Sequence, residues 1–136
     1  MKPVALINLN TGRWVSTQNK DWTELYFVET VLDLSLFKHC KAKLYVETLH
    51  REKEGGELRL AWQQAPSKWN PFQGSEIVTR KKNSGHWQLM ESEWFTVPYI
   101  PDVSCLWVQG KAAADKEQIS VALATVVFAV DNRQTV

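Results

Sequence analysis

Cysteine is almost missing: the 136-residue chain holds two, Cys40 and Cys105, far apart in sequence. Neither has a His or Cys at the i+3 or i+4 spacing of a metal clamp, and His39 is merely adjacent to Cys40. Free Cys packs as a small apolar side chain, so two buried thiols are expected, with a disulfide as the alternative. Long apolar runs are missing too. The longest, ISVALATVVFAV from Ile119 to Val130, falls well short of the ~20 residues a membrane helix needs. The opening MKPVALINLNTGRW has neither the apolar core nor the small-residue cleavage site of a secretory signal. These absences lead to the expectation of a cytoplasmic or particle-associated protein with no membrane span. An excess of one charge is lacking as well: 16 Lys and Arg stand against 15 Asp and Glu. That balance removes the overall attraction of a dedicated nucleic-acid binder.

Catalytic signatures are equally scarce. Gly74-Ser75 lacks the second glycine of a nucleophile elbow, and no glycine-rich phosphate loop or dinucleotide fingerprint occurs. His39, His50 and His86 lie in separate segments, so no metal or other cofactor is expected. Glu91 and Glu93 in MESEWF would share a face of a continuous strand, a spacing compatible with a glycosidase pair. Acids at i and i+2 are also what a solvated strand face produces. The basic run Arg80-Lys81-Lys82-Asn83 reads as a solvated turn tip, since phosphate binding needs charge focused on one surface with aromatic partners.

What is present is alternation. With 44% hydrophobic and 23% charged residues the chain is globular in composition. In KAKLYVETL, Ala42, Leu44, Val46 and Thr48 face one way, and Lys41, Lys43, Tyr45 and Glu47 the other. In the strand from Glu57, Leu58, Leu60 and Trp62 point inward, and Glu57, Arg59 and Gln63 outward. Gly55-Gly56 between them predicts a two-residue turn and a hairpin. Further strands are expected over Pro3–Leu9 and Arg13–Ser16 about a turn at Asn10-Thr11-Gly12, in the second half of Tyr26–Phe37, and in Cys105–Gln109. A second hairpin is expected from Ile77–Lys81 to His86–Met90. The closing strand, Ile119–Val130, is apolar on both faces, with Ile119, Val121 and Leu123 opposite Ala124, Val126 and Phe128, and is expected to be covered on both. Lys41, Lys43 and Glu47 are placed to guard a sheet edge. About eight short strands predict an all-β fold, a two-sheet antiparallel β-sandwich of jelly-roll type, as one domain over residues 1–136.

Aromatics are abundant, with seven Trp, three Tyr and five Phe. Trp62 and Trp107 alternate with apolar neighbours and are expected in the core, as is Trp87 in phase with Leu89. Trp14, Trp22 and Trp94 have no assigned face. The stretch APSKWNPFQGSE, Ala65 to Glu76, reads as a long irregular loop, which ordinarily carries a packing or a binding role. Its Lys68, Trp69, Asn70 and Phe72 form the candidate binding surface, because an exposed indole stacks on a sugar ring or fills a partner's pocket.

The alternating strands, the aromatic stretch APSKWNPF and the closing strand ISVALATVVFAV resemble compact jelly-roll modules. That broad group includes carbohydrate-binding modules and accessory proteins of phage-like particles. The resemblance is architectural and transfers no functional residue. With no catalytic motif and no export signal, the reading is a non-catalytic assembly or adaptor module, such as a component of a virion-like particle with a protein partner or self-association. The alternatives are a carbohydrate-binding module using exposed Trp and, third, a glycoside hydrolase.

Overall fold

A computed structural model of the chain describes residues 1–10, 12–32, 40–50, 55–65, 68–79, 85–100, 103–115 and 117–130. Among them are the strands β1 (Lys2–Asn8), β2 (Val15–Thr17), β3 (Thr23–Leu32), β4 (Cys40–His50), β5 (Gly56–Ala65), β6 (Lys68–Pro71), β7 (Ile77–Val78), β8 (Gln88–Glu91), β9 (Phe95–Thr96), β10 (Val103–Ala112) and β11 (Ile119–Val130). One sheet runs β1-β11-β4-β8, with β2 also on β11 and β9 also on β4; the other runs β3-β10-β5-β6, with β7 also on β5. Every pairing among the described residues is antiparallel. The short strands β2, β7 and β9 lie on the same neighbours as β1, β6 and β8, so each sheet has four strand positions. This is the two-sheet jelly-roll sandwich that the alternation predicts.

The core follows from the alternation. Ala42, Leu44, Val46 and Thr48 of β4 and Leu58 and Leu60 of β5 are fully buried, each on the face expected of it. They meet Leu106 and Val108 of β10 and Val121, Ala124, Val126 and Phe128 of β11. The inward set of β11 crosses the two expected faces, because the register shifts between Val121 and Leu123. That bulge switches the phase, so Val121 and then Ala124, Val126 and Phe128 all face inward. Leu123, Thr125 and Val127 are left half-buried on the outer face, so β11 is sealed on one side and partly open on the other.

Each broken edge leaves its long neighbour short of a ladder partner, and a polar side chain supplies it. Between β6 and β7, the Leu60 N–H donates to Ser75 Oγ at 3.2 Å, while Ser75 lies 2.7 Å from the Phe72 carbonyl oxygen. Between β8 and β9, the Leu44 N–H donates to Ser92 Oγ at 3.0 Å. Between β1 and β2, the Ala124 N–H reaches Asn10 Oδ1 at 3.4 Å. Beyond β7, the Gly56 N–H donates to Thr79 Oγ1 at 2.8 Å. Ser75, Thr79 and Ser92 are accordingly buried polar residues.

Several local expectations are corrected. β4 and β5 are consecutive but sit in opposite sheets, so Gly55-Gly56 ends a crossover and makes no hairpin. Glycine is needed there for close approach: a Cβ on Gly55, at φ +65°, would fall 2.3 Å from Thr79 Oγ1, and one on Gly56 2.2 Å from the Lys111 carbonyl oxygen. β7 and β8 also lie in different sheets, which removes the second hairpin. β1 and β2 both run antiparallel to β11, so they follow one another in the same direction along one edge and form no hairpin. β4 lies between β11 and β8, so Lys41, Lys43 and Glu47 belong to an inner strand and guard no edge. The supposed loop Ala65–Glu76 contains β6. Residues 33–37 of the expected Tyr26–Phe37 strand, His39 and the basic run Arg80–Asn83 lie outside the described residues.

Cys40 and Cys105 are free, buried and in different sheets. Burial pushes both thiols up from their ordinary range, with Glu29 adding to the effect at Cys105. Two predictions follow from these features. Ser75→Ala and Ser92→Ala should each lower the unfolding free energy in a urea titration by about 1–3 kcal/mol, because each strands a buried N–H; Glu93→Gln, an exposed neighbour, should change it by less than ~0.5 kcal/mol. In native protein at pH 8 both thiols should react with a disulfide reagent far more slowly than after denaturation, and equal rates would contradict their burial.

Candidate functional site

The outer face of the β3-β10-β5-β6 sheet is set by the phase of its central strand. Leu106 and Val108 of β10 point into the core, so Cys105, Trp107, Gln109 and Lys111 point away from it. The register then lays out rows across the sheet. Phe27, Trp107, Ala61 and Pro71 form one, and Glu29, Cys105, Gln63 and Trp69 the next. On the other side of the Phe27 row come Glu24, Gln109 and Arg59, and then Lys111 with Glu57. Trp22, one residue ahead of β3, lies beside Lys111, whose Nζ is 4.8 Å from its ring centre.

Arg59 is the hub of this face. Its guanidinium carbon lies 4.0 Å from the Trp22 ring centre and 5.8 Å from that of Trp69, so indoles from the two outer strands flank one cation. Its Nε–H donates to Gln109 Oε1 at 2.8 Å. Gln109 is completely buried beneath it, and among the described residues its Nε2 has no hydrogen-bond partner. The indole N–H of Trp107 is likewise buried without one, while its ring packs on Phe27 with centres 4.9 Å apart. Burial pushes the Arg59 pKa down, against the opposing pull of Glu76 and Glu57. Glu57 itself is bonded to Lys111 at 3.1 Å. The result is a broad aromatic platform with a planar, partly desolvated cation at its centre, suited to flat ligands with polar rims.

The sequence-derived surface divides here. Trp69 is half-buried and joins the platform through its place beside Gln63. Asn70 pairs with Trp62, whose face is the opposite one. Phe72 leaves the surface altogether: it is fully buried between Trp62 and Phe95, with ring centres at 4.6 and 5.6 Å, because the strand alternation past Pro71 turns it inward. The Lys68 side chain lies outside the described residues. Trp62 packs against the core as expected, whereas Trp107 faces outward and Trp87 and Leu89 are exposed. The alternation missed Trp22, Phe27, Arg59 and Trp107 as a group. One signal was available: Gln109 shares its strand phase with Trp107, and a polar residue in that phase marks the face away from the core.

The remaining candidates are weaker in chemistry. Glu91 is ion-paired to Lys43 at 2.9 Å, which holds the Lys43 pKa up, and Lys43 also lies 5.4 Å from the Trp94 ring centre. β8 ends at Glu91, so Glu93 does not share a continuous strand with it. His50 is buried in β4 and His86 is exposed. Among the described residues no cluster of three or more His, Cys, Asp or Glu is placed to hold a metal, and no helix is long and apolar enough to cross a membrane. An open groove of about 430 Å³ is lined by Ser16, Thr17, Gln18, Asn19, Thr23 and Gln118, with neither an aromatic nor a charged side chain.

Neither a protein-family model nor a curated protein matches the sequence. Solved structures do share the fold. A β-1,3-glucan binding CBM6 from Bacillus halodurans superposes with a TM-score of 0.54 at 11% identity, over 93% of this chain and 96% of that one. The C-terminal CBM6 of LamC, a marine laminarinase from Zobellia galactanivorans, gives 0.50 at 8% identity, over 90% and 99%. The VP2 subviral particle of infectious bursal disease virus gives 0.54 at 7% identity, over 96% of this chain and 33% of that one. The chain thus spans about a third of the capsid protein's length. At these identities the likeness is one of fold: the chain shares the jelly-roll architecture of carbohydrate-binding modules and of a viral capsid protein.

Proposed function

We propose that this chain is one β-sandwich binding domain that takes carbohydrate on the outer face of its five-stranded sheet. The observation that carries the reading is the platform of Trp22, Trp69, Phe27 and Trp107 about Arg59. Apolar faces of sugar rings stack on indoles, and hydroxyls at the ring edge take hydrogen bonds from neighbouring polar groups. Gln63 lies beside Trp69 in the register and supplies such a group at the rim. The fold shared with a β-1,3-glucan binding module supports the reading. The end of β8 at Glu91 also takes Glu93 off the shared strand face on which a glycosidase pair was expected. Binding without turnover is therefore the activity proposed. Trp69→Ala should weaken retention on a glycan array or in affinity electrophoresis by about tenfold or more. Retention unchanged by Trp69→Ala and Trp22→Ala would exclude this face.

A second reading, assembly into a larger particle, rests on the opposite sheet. Leu6 and Leu89 are each 62% exposed on its outer face, with Val4 and Trp87 also exposed. These residues lie on or beside the two edge strands of that sheet, where a second chain can dock, and the fold shared with a capsid protein is in keeping with it. Light scattering at high micromolar concentration should then report an oligomer that Leu6→Lys or Leu89→Lys dissociates; a strict monomer would remove this reading and leave carbohydrate binding intact.

A further inference from the structure

We propose that the ligand of the aromatic platform is an acidic carbohydrate, a glycan containing uronic acid, whose ring carboxylate is taken by Arg59. The proposal rests on the carbohydrate reading and narrows its substrate class. Arg59 is an incompletely partnered cation. A guanidinium offers five N–H donors in a planar fork, and here Nε is bonded to Gln109 while no carboxylate of the described residues lies within 4.0 Å of the group. Its acidic neighbours are otherwise placed. Glu57 is bonded to Lys111, and Glu76 acts on Arg59 only from beyond ion-pair distance.

Taking such a cation partly out of water is costly unless a matching anion completes it. The flanking indoles offset part of that cost but supply no hydrogen-bond acceptor. Gln109 fixes the direction of the fork. It is wholly buried, and its Oε1 accepts the Nε–H, which ties the guanidinium at one corner and leaves the terminal nitrogens with no carboxylate partner among the described residues. A carboxylate presented from outside meets them side by side, in the bidentate geometry that arginine favours.

The same carboxylate chemistry occurs on peptides, and sulfate offers a similar charge. The flanking rings choose among them. Trp22 and Trp69 stand on either side of Arg59, so a ligand must place an anion between two flat apolar surfaces. A uronate chain does so with the sugar ring bearing the carboxylate and its neighbours, whereas an acidic peptide has no comparable stack of rings, and a sulfated glycan offers a tetrahedral ester in place of the planar carboxylate that the fork matches.

The experiment is calorimetry of the full chain with an oligogalacturonate, its methyl ester, and a laminari-oligosaccharide of equal length, with dextran sulfate and polyglutamate as charge controls. The free acid should bind about tenfold or more tightly than its ester or the neutral sugar. That preference should vanish in Arg59→Gln and be much reduced in Arg59→Lys, which keeps the charge but loses the fork. Trp69→Ala should weaken acid and neutral sugar alike. Circular dichroism confirms that each variant is folded, and the lysine variant serves if the glutamine variant is not. Equal affinity for acid and ester, or for dextran sulfate or polyglutamate and the acid, overturns the proposal while sugar binding stands. Absence of binding to any glycan removes the carbohydrate reading together with it.

Discussion

A strand enclosed between two sheets must have every N–H and carbonyl paired, and in this fold that requirement is hardest to meet where short edge strands run alongside long central ones. β4, β5 and β11 are each longer than the edge pieces on their outer side. Leu44, Leu60 and Ala124 would face a gap in the ladder, buried away from water. Ser92, Ser75 and Asn10 close those gaps as substitute backbone partners. The sandwich therefore keeps long unbroken centres while its rims bend. Those bends carry Phe72 and Phe95 into the interior and leave Trp69 on a short outer strand.

The distribution of apolar volume follows from the same geometry. Between the sheets sit mostly Ala, Val and Leu, side chains that interdigitate across two pleated surfaces. Phe128 and Tyr26 are the aromatics buried with them, while Phe72 and Phe95 close one border and Phe27 and Trp107 pair on an outer face. An outer face built in this way is anchored by the rigid strands behind it. Its indoles are set by register, which holds a recognition surface in place better than a loop does.

How much of this was legible in sequence depended on contrast between the two faces of a strand. In β4 the lysines opposite Ala42 and Leu44 left a single reading, and the structure agrees with it. In β10 and β11 both faces are apolar, so Trp107 was assigned inward and the bulge after Val121 passed unseen. Gly55-Gly56 misled for a different reason: a tight reversal and a crossover squeezed against Thr79 and Lys111 call for the same residue. The special character of Trp69 was visible from its polar neighbours. Its partnership with Arg59 and Trp22 was not, because it depends on strand register between segments widely separated in the chain.

The position of the last two long strands has a consequence for synthesis. β10 lies between β3 and β5, and β11 lies between β1 and β4, so one of the two inner strands of each sheet is contributed by residues 103–130. A nascent polypeptide emerging from the ribosome would hold β1 and β3 without a ladder partner, and β4 and β5 paired on one side only, until those residues appear. Folding must then proceed through distant rather than neighbouring contacts, which makes it slow for the size of the chain. During that interval the burden of solubility falls on the charged outer faces of the early strands, or on a chaperone that holds them.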